Sequence, residues 1–446
     1  MSQDQFHHYI PRFILKSFSD NFQLKPSSIF SPNASGNFTE VPFSKGPVGS
    51  KGNSGGDSVG SNRKGNRRKS SGINKRDSRE GDKEGGHEAK EQNPIIDFPI
   101  YVYRALEKTI AQSDVSRVYG LQNMYQDIAE VDSMRFEKEL AKLECTSATF
   151  IHKIRSGEEL LLTRTQLADF KRFLAIMTYR SECRREQYYE CRFDIMTLLS
   201  IRKHMSQNNI DRVQDVWFEN LKWIIKTPHD EIIKESSALD PKGVKTPMDT
   251  MFALSKYKGP IHVAELMDYY NLVCNYVCVW QAEEGSEFIL TDKCFGAFEG
   301  DMGVCFHNFY VVSPKYVVVL VNRLYMWDLM KTTGLRKSWF GDELHANPDV
   351  IYTKKPMRGA EDFTPTDVFK YKRIVVPKEK VYLCNSILLD ASPKYITYKS
   401  DISMYRSLRY YDKTKEDLFT FKYGYHVLKR EVLANLKAKV NRTHCS

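Results

Sequence analysis

Three features of the sequence predict an α+β fold: a mainly antiparallel sheet packed against long antiparallel helices, in a single domain with a disordered insert. Between Glu287 and Asn322 lie three short β-branched or aromatic runs, Phe288 to Thr291, Asn308 to Val312 and Tyr316 to Val321, separated by an Asp, a Gly-rich stretch and Ser313-Pro314. Between Glu130 and Thr227 apolar residues recur at helical spacing. From Ser27 to Asn93 the composition turns to Ser, Gly, Asn, Lys and Arg, too poor in apolar surface to offset the entropy of ordering.

The elements follow in order. Pro11 suits the first turn of a short helix, which places Phe13, Ile14 and Phe18 on one side, with His7 and His8 just ahead of it. After the insert, Ile95 to Tyr103 reads as a strand. A helix over Glu130–Arg155 stops at Ser156-Gly157. Thr163-Arg164-Thr165-Gln166 supplies a capping box for a second helix, predicted to run as far as His204, and a third spans Asp211 to Thr227. A short helix over His262–Tyr269 leads to a strand at Tyr276–Gln281 and then to the strand-rich block. Tyr316 to Val321 is apolar at nearly every position, as in a central strand covered on both faces. Trp327 to Glu361 reads as irregular, Tyr371 to Val376 as an edge strand, Glu379 to Asp390 as a helix and Tyr395 to Tyr398 as a last strand. A helical tail follows from Lys415 to Lys439. The predicted organisation is residues 1–26 and 94–411 forming the core domain, 27–93 the insert and 412–446 the tail.

Composition narrows the class. With 41% hydrophobic and 12% aromatic residues, the 446-residue chain has the material for a sizeable core. No apolar run reaches the roughly 18 residues of a membrane helix, and the first residues lack a basic then apolar leader. Nine cysteines, an odd number spread along most of the chain, fit reduced thiols in an intracellular protein, cytoplasmic or nuclear. The net charge of +10 suggests nucleic acid, yet Ser44 to Asn93 holds twelve Lys and Arg against seven Asp and Glu, so half the excess belongs to the insert.

No P-loop, Gly-rich dinucleotide turn, H-E-x-x-H or G-x-S-x-G is present. Cys274-x-x-x-Cys278 has no second ligand pair at zinc spacing, so no metal is assigned, and nothing in the sequence names a cofactor. His8 is a candidate acid or base, set against a backbone-bonded histidine at the helix entry. Arg180 follows an apolar helical face and points inward, where a guanidinium needs a carboxylate or phosphate. Asp292 is the preferred carboxylate for it, with Glu139 and Glu144 as helical alternatives.

These residues resemble a known family. His8-x-x-Pro11-x-x-x-Leu15-x-x-Phe18, the segment around Arg180, Phe288-Ile289-Leu290-Thr291-Asp292, Ser313-Pro314 and Tyr382-x-x-Asn385 are similar, in their order along the chain, to the motifs of the family called domain of unknown function four-two-three-eight. The family pattern T-S-D-x-P keeps its acid here as Asp292 but lacks the proline, and P-L-S-P keeps only Ser313-Pro314. The resemblance implies a fold and a set of polar positions, without a reaction. The two functions in view are binding or processing of an anionic ligand, such as a nucleotide or nucleic acid, and a non-catalytic interaction module with a buried polar network. In the first, His8, Arg180, Asp292, Ser313 and Asn385 form one polar site, with Arg180 as anion clamp, Asp292 as base or metal ligand and His8 as acid.

Overall fold

The computed structural model describes residues 6–22, 98–125, 135–239, 256–295, 297–301, 304–322, 338–340, 349–351, 364–418, 436–437 and 441. The chain separates into one unit of Met1–Ser28 with Ile96–Ser446 and a second, Ile29–Ile95. The second unit, and with it the predicted insert, lies outside the described residues, as does most of the predicted tail and of Trp327–Glu361.

The fold is α+β. Five strands form the largest sheet, in the order β13 (Arg373–Val376), β6 (Tyr276–Ala282), β10 (Tyr316–Val321), β9 (Val304–Ser313) and β8 (Phe298–Asp301). The β10 strand lies between β6 and β9 and is buried at all its residues, which is why its sequence shows no polar alternation. Its pairings are antiparallel, whereas β13 joins the edge parallel to β6. A four-stranded sheet runs β3 (Thr109–Asp114), β2 (Pro99–Arg104), β14 (Tyr395–Tyr398) and β7 (Leu290–Thr291). A three-stranded one runs β11 (Asp349–Ile351), β12 (Val368–Tyr371) and β5 (Leu160–Thr163). The run Tyr371 to Val376, read as one edge strand, is thus divided between two sheets.

The opening of the chain differs from its reading. Phe6–His8 forms a strand, β1, antiparallel to β4 (Gly120–Gln122), with Pro11 then serving as N-cap of the short helix α1 (Arg12–Leu15). A Cβ on Gly120 would fall 2.5 Å from the His7 carbonyl oxygen, so this pairing needs glycine there.

The helical layer consists of α2 (Arg135–Ser156), α3 (Arg164–Tyr179) and α6 (Val213–Lys226), which pack on one another. The capping box forms as predicted. Thr163 Oγ1 accepts from the Gln166 N–H at 3.2 Å, and the Gln166 side chain accepts from the Thr163 N–H at 2.9 Å. The long helix predicted to His204 is instead three. Arg180 ends α3, Ser181 caps α4 (Glu182–Tyr189), and Asp194 caps α5 (Ile195–Asn208). Each hydroxyl or carboxylate offers the backbone a new start, and Cys191 takes a left-handed turn between α4 and α5. The helices α7 (His229–Leu239) and α8 (Val263–Cys274) pack on α3 and on each other, α8 running five residues beyond its predicted end, while α9 (Lys378–Asp390) and α10 (Asp401–Leu418) pack on one another, with α9 also against β7. Among the described residues no helix is long and apolar enough to cross a membrane, and Cys145, Cys183, Cys191, Cys274, Cys278, Cys294 and Cys384 are free thiols.

Candidate functional site

The opening strand brings its polar residues against the ends of two helices. Arg180, 1% exposed, donates from Nε to the Tyr9 carbonyl at 3.1 Å and from Nη2 to the His8 carbonyl at 2.8 Å. Its Nη1 donates to Glu144 Oε1 at 2.5 Å. The carboxylate is therefore Glu144, one of the two helical alternatives, rather than Asp292. Glu139, the other, faces solvent and pairs with Lys142. His8 places its Nδ1 3.0 Å from the Val118 carbonyl, so that nitrogen carries the proton. Burial, reinforced by Arg12, lowers the His8 pKa to about 4, leaving it neutral at pH 7. His7 accepts the Tyr125 N–H on Nδ1 at 3.0 Å and turns Nε2 toward Glu137, 3.6 Å away. Burial raises that glutamate to about 7 despite the nearby Arg180.

Asp292 follows β7 and is 2% exposed. Its Oδ1 accepts the Tyr395 N–H at 2.9 Å, and Oδ2 has no hydrogen-bond partner among the described residues. Burial pushes its pKa up to about 6, opposed by the Tyr395 N–H and Lys293 and assisted by Glu182. Ser313 closes the β9–β10 turn, accepting the Tyr316 N–H at 3.0 Å. Asn385, fully buried in α9, accepts the Ile289 N–H at 3.0 Å and donates to the Glu287 carbonyl at 2.8 Å and to Ser407 Oγ at 2.9 Å. It clips the segment leading into β7 onto α9 and α10. Of the five predicted residues, then, the structure joins His8 and Arg180 directly, and it engages Ser313 and Asn385 with backbone in other parts of the fold.

A second polar cluster lies where α4, α5 and α8 meet, around a cavity of about 250 Å³. Arg184, Gln187 and Tyr188 of α4 line it, with Asp194 and Thr197 from the start of α5 and His262, Glu265 and Asp268 from the start of α8. Two helix N-termini thus face one space, each carrying roughly half a positive charge. Asp194 caps α5 through the Thr197 N–H at 3.0 Å, whereas no side chain caps α8. Glu265 is buried, held by Arg184 Nη2 at 2.7 Å and by the Tyr188 hydroxyl, and Arg184 also reaches the exposed Asp268. His262 is 2% exposed, with Nε2 3.0 Å from Ser200 Oγ and Nδ1 without a hydrogen-bond partner among the described residues. Burial and the Arg184 charge lower its pKa to about 4, so the ring is neutral. Among the described residues no group of three His, Cys, Asp or Glu is placed to hold a metal ion.

Sequence reasoning misses this cluster because reading one helix from Thr163 to His204 hides α4 as a separate helix and the N-terminus of α5, one of the two that build it. The signals are present in Ser181 ahead of Glu182 and in Phe193-Asp194 ahead of an apolar run, both cap patterns. His262 stands at a predicted helix start, which by itself does not mark it as lining a cavity.

Neither the curated proteins nor the solved structures contain a match to the chain. A family model does match it over residues 7–401, a span that holds both polar clusters and all five predicted residues. It is described as "Protein of unknown function (DUF4238)", and with most of its length matched the chain belongs to that family.

Proposed function

We propose that the protein binds a small molecule bearing an anionic group, a phosphate or carboxylate, in the cavity between α4, α5 and α8. One observation carries the reading: two helix N-termini and Arg184 face the same space as a buried His262 whose Nδ1 lacks a partner among the described residues. Helix ends and guanidinium groups supply donors and positive field, and the imidazole adds a further polar contact. Arg184 anchors the ligand, displacing the exposed Asp268 while Glu265 and Tyr188 keep the guanidinium in place. The cavity is smaller than the roughly 300–1,000 Å³ of drug-sized ligand sites. Its carboxylates, Asp194, Glu265 and Asp268, offset the charges of Arg184, Arg192 and the two helix ends. Size and charge together favour a compact monoanion or zwitterion over a nucleic acid.

The test is a thermal-shift screen of the purified full chain against inorganic phosphate, small carboxylates, amino acids and mononucleotides. A ligand present at about 100 times its Kd stabilises the native state by about 2.7 kcal/mol. The reading requires a saturable rise in melting temperature that Arg184→Lys, which keeps the charge and removes the fork, reduces or abolishes. A flat screen, or a shift equal in both proteins, counts against it.

A second reading concerns the five residues predicted from sequence. Because Asn385 has backbone or hydroxyl partners on both its amide atoms and Arg180 spends three N–H groups inside the protein, we propose that they form a structural network rather than a reacting centre.

A further inference from the structure

The three carboxylates that line the cavity between α4, α5 and α8 are not equally committed to the fold. Asp194 accepts from Thr197 through both oxygens, from the N–H at 3.0 Å and from the hydroxyl at 2.6 Å. Glu265 is buried and also has both oxygens taken, one by Arg184 Nη2 at 2.7 Å and the other by the Tyr188 hydroxyl. Asp268 stands about one turn further along α8 with its side chain 57% exposed, and its hydrogen-bond partner is the same Arg184 Nη2, met through Oδ2. Exposed pairs of this kind contribute little to stability. Arg184 is held besides by Gln187 Oε1 at 3.2 Å, so a ligand can open the Arg184–Asp268 contact without disturbing the fold. A ligand bearing only a negative group would leave the displaced Asp268 carboxylate beside it, two like charges at close range. A ligand that carries a positive group next to its negative one removes that conflict.

We propose, resting on the anion site described above, that the ligand is an α-amino acid with an uncharged side chain, inserted into the Arg184–Asp268 pair. Its carboxylate takes the Arg184 N–H that Asp268 releases, and its ammonium takes Asp268. Guanidinium and carboxylate start in direct contact, so parting them by the width of one molecule calls for ammonium and carboxylate close together, as on a single α-carbon. Every charge keeps a partner through the exchange, including Arg192 of the lining, which pairs with Glu190. The side chain is left to Gln187, Phe193, Thr197, Ala264 and the neutral His262, whose buried Nδ1 has no hydrogen-bond partner among the described residues. That lining offers polar and apolar contacts but no spare charge.

Isothermal titration calorimetry of the full chain tests this with alanine, serine, leucine and glutamine, each beside the carboxylic acid that lacks its amino group, and with inorganic phosphate. At least one amino acid should bind, about fivefold or more tighter than its deaminated counterpart, the factor an exposed charge pair supplies. Asp268→Asn should reverse the order. It removes the partner of the ammonium and a competitor for Arg184, so the amino acid should weaken about fivefold or more while the deaminated acid tightens. Circular dichroism confirms that the variant folds. Deaminated acids or phosphate that bind as tightly as the amino acids overturn the amino-acid assignment and leave the anion site standing. A preference for the amino acid that survives Asp268→Asn overturns the assignment as well, and binding by none of these ligands overturns both.

Discussion

Replacing Arg180 by alanine should destabilise the fold by about 4 kcal/mol, a figure that follows from the hydrogen bonds the guanidinium makes. The side chain is 1% exposed, so its removal leaves the His8 and Tyr9 carbonyls without the donors that reach them at 2.8 and 3.1 Å. A buried acceptor left unsatisfied costs roughly 1–3 kcal/mol, and two of them together about 3 kcal/mol after some relaxation. Glu144 loses its partner at 2.5 Å, but with its side chain 25% exposed it turns toward water, which holds its share to about 1 kcal/mol. Urea denaturation of Arg180→Ala beside wild type reads the total. A double-mutant cycle then assigns the partner: Arg180→Ala with Glu144→Gln should be non-additive, whereas Arg180→Ala with Asp292→Asn should be additive within about 0.5 kcal/mol. A destabilisation under about 1 kcal/mol, or coupling to Asp292 in place of Glu144, would show that these bonds do not hold the opening strand as described.

Two more outcomes concern the other buried polar residues. Asp292 is held near pKa 6 by burial, above its ordinary 3.8, so the folded state binds the proton more tightly than the unfolded chain does. The sign is then fixed: no cost below about pH 4, and a stability loss that grows as pH rises through 6, reaching about 3 kcal/mol. Asp292→Asn, which keeps the acceptor for the Tyr395 N–H, should therefore gain stability relative to wild type between pH 4 and 7; a difference independent of pH would falsify this. Asn385→Ala should cost about 3 kcal/mol through the released Glu287–Ile289 segment, and hydrogen exchange at the Ile289 amide should quicken more than at the amides of β10.

Much of the scaffold is legible in the sequence because its signals are local. The capping box at Thr163 and Gln166, the apolar run of β10 and the helix over Lys378–Asp390 each depend on a few adjacent residues. What sequence reading misses depends on distance along the chain. Phe6–His8 becomes a strand because Gly120–Gln122 comes to it from more than a hundred residues away, and nothing in three residues announces that. Arg180 points inward, as its place after an apolar face suggests, but two of its partners are main-chain carbonyls, which an inventory of side chains cannot anticipate. Choosing between Asp292 and Glu144 requires the packing of α2 on α3, a tertiary fact. The cavity is hidden for a different reason: a continuous apolar period from Leu167 onward outweighs two cap residues, Ser181 and Asp194, that break the helix.

Occupation of the cavity between α4, α5 and α8 by a small anion can be read at His262 itself. Histidine side-chain NMR on the ¹⁵N-labelled full chain, titrated with inorganic phosphate and then with small carboxylates at constant pH and ionic strength, reports on that ring without reference to activity. Saturable shifts of the His262 nitrogens are expected, larger at Nδ1 than at the Ser200-bonded Nε2, while His8, bonded to Val118, stays in place. His262 resonances unmoved by every ligand in the series, or shifts of equal size at His8 and His262, would contradict binding there.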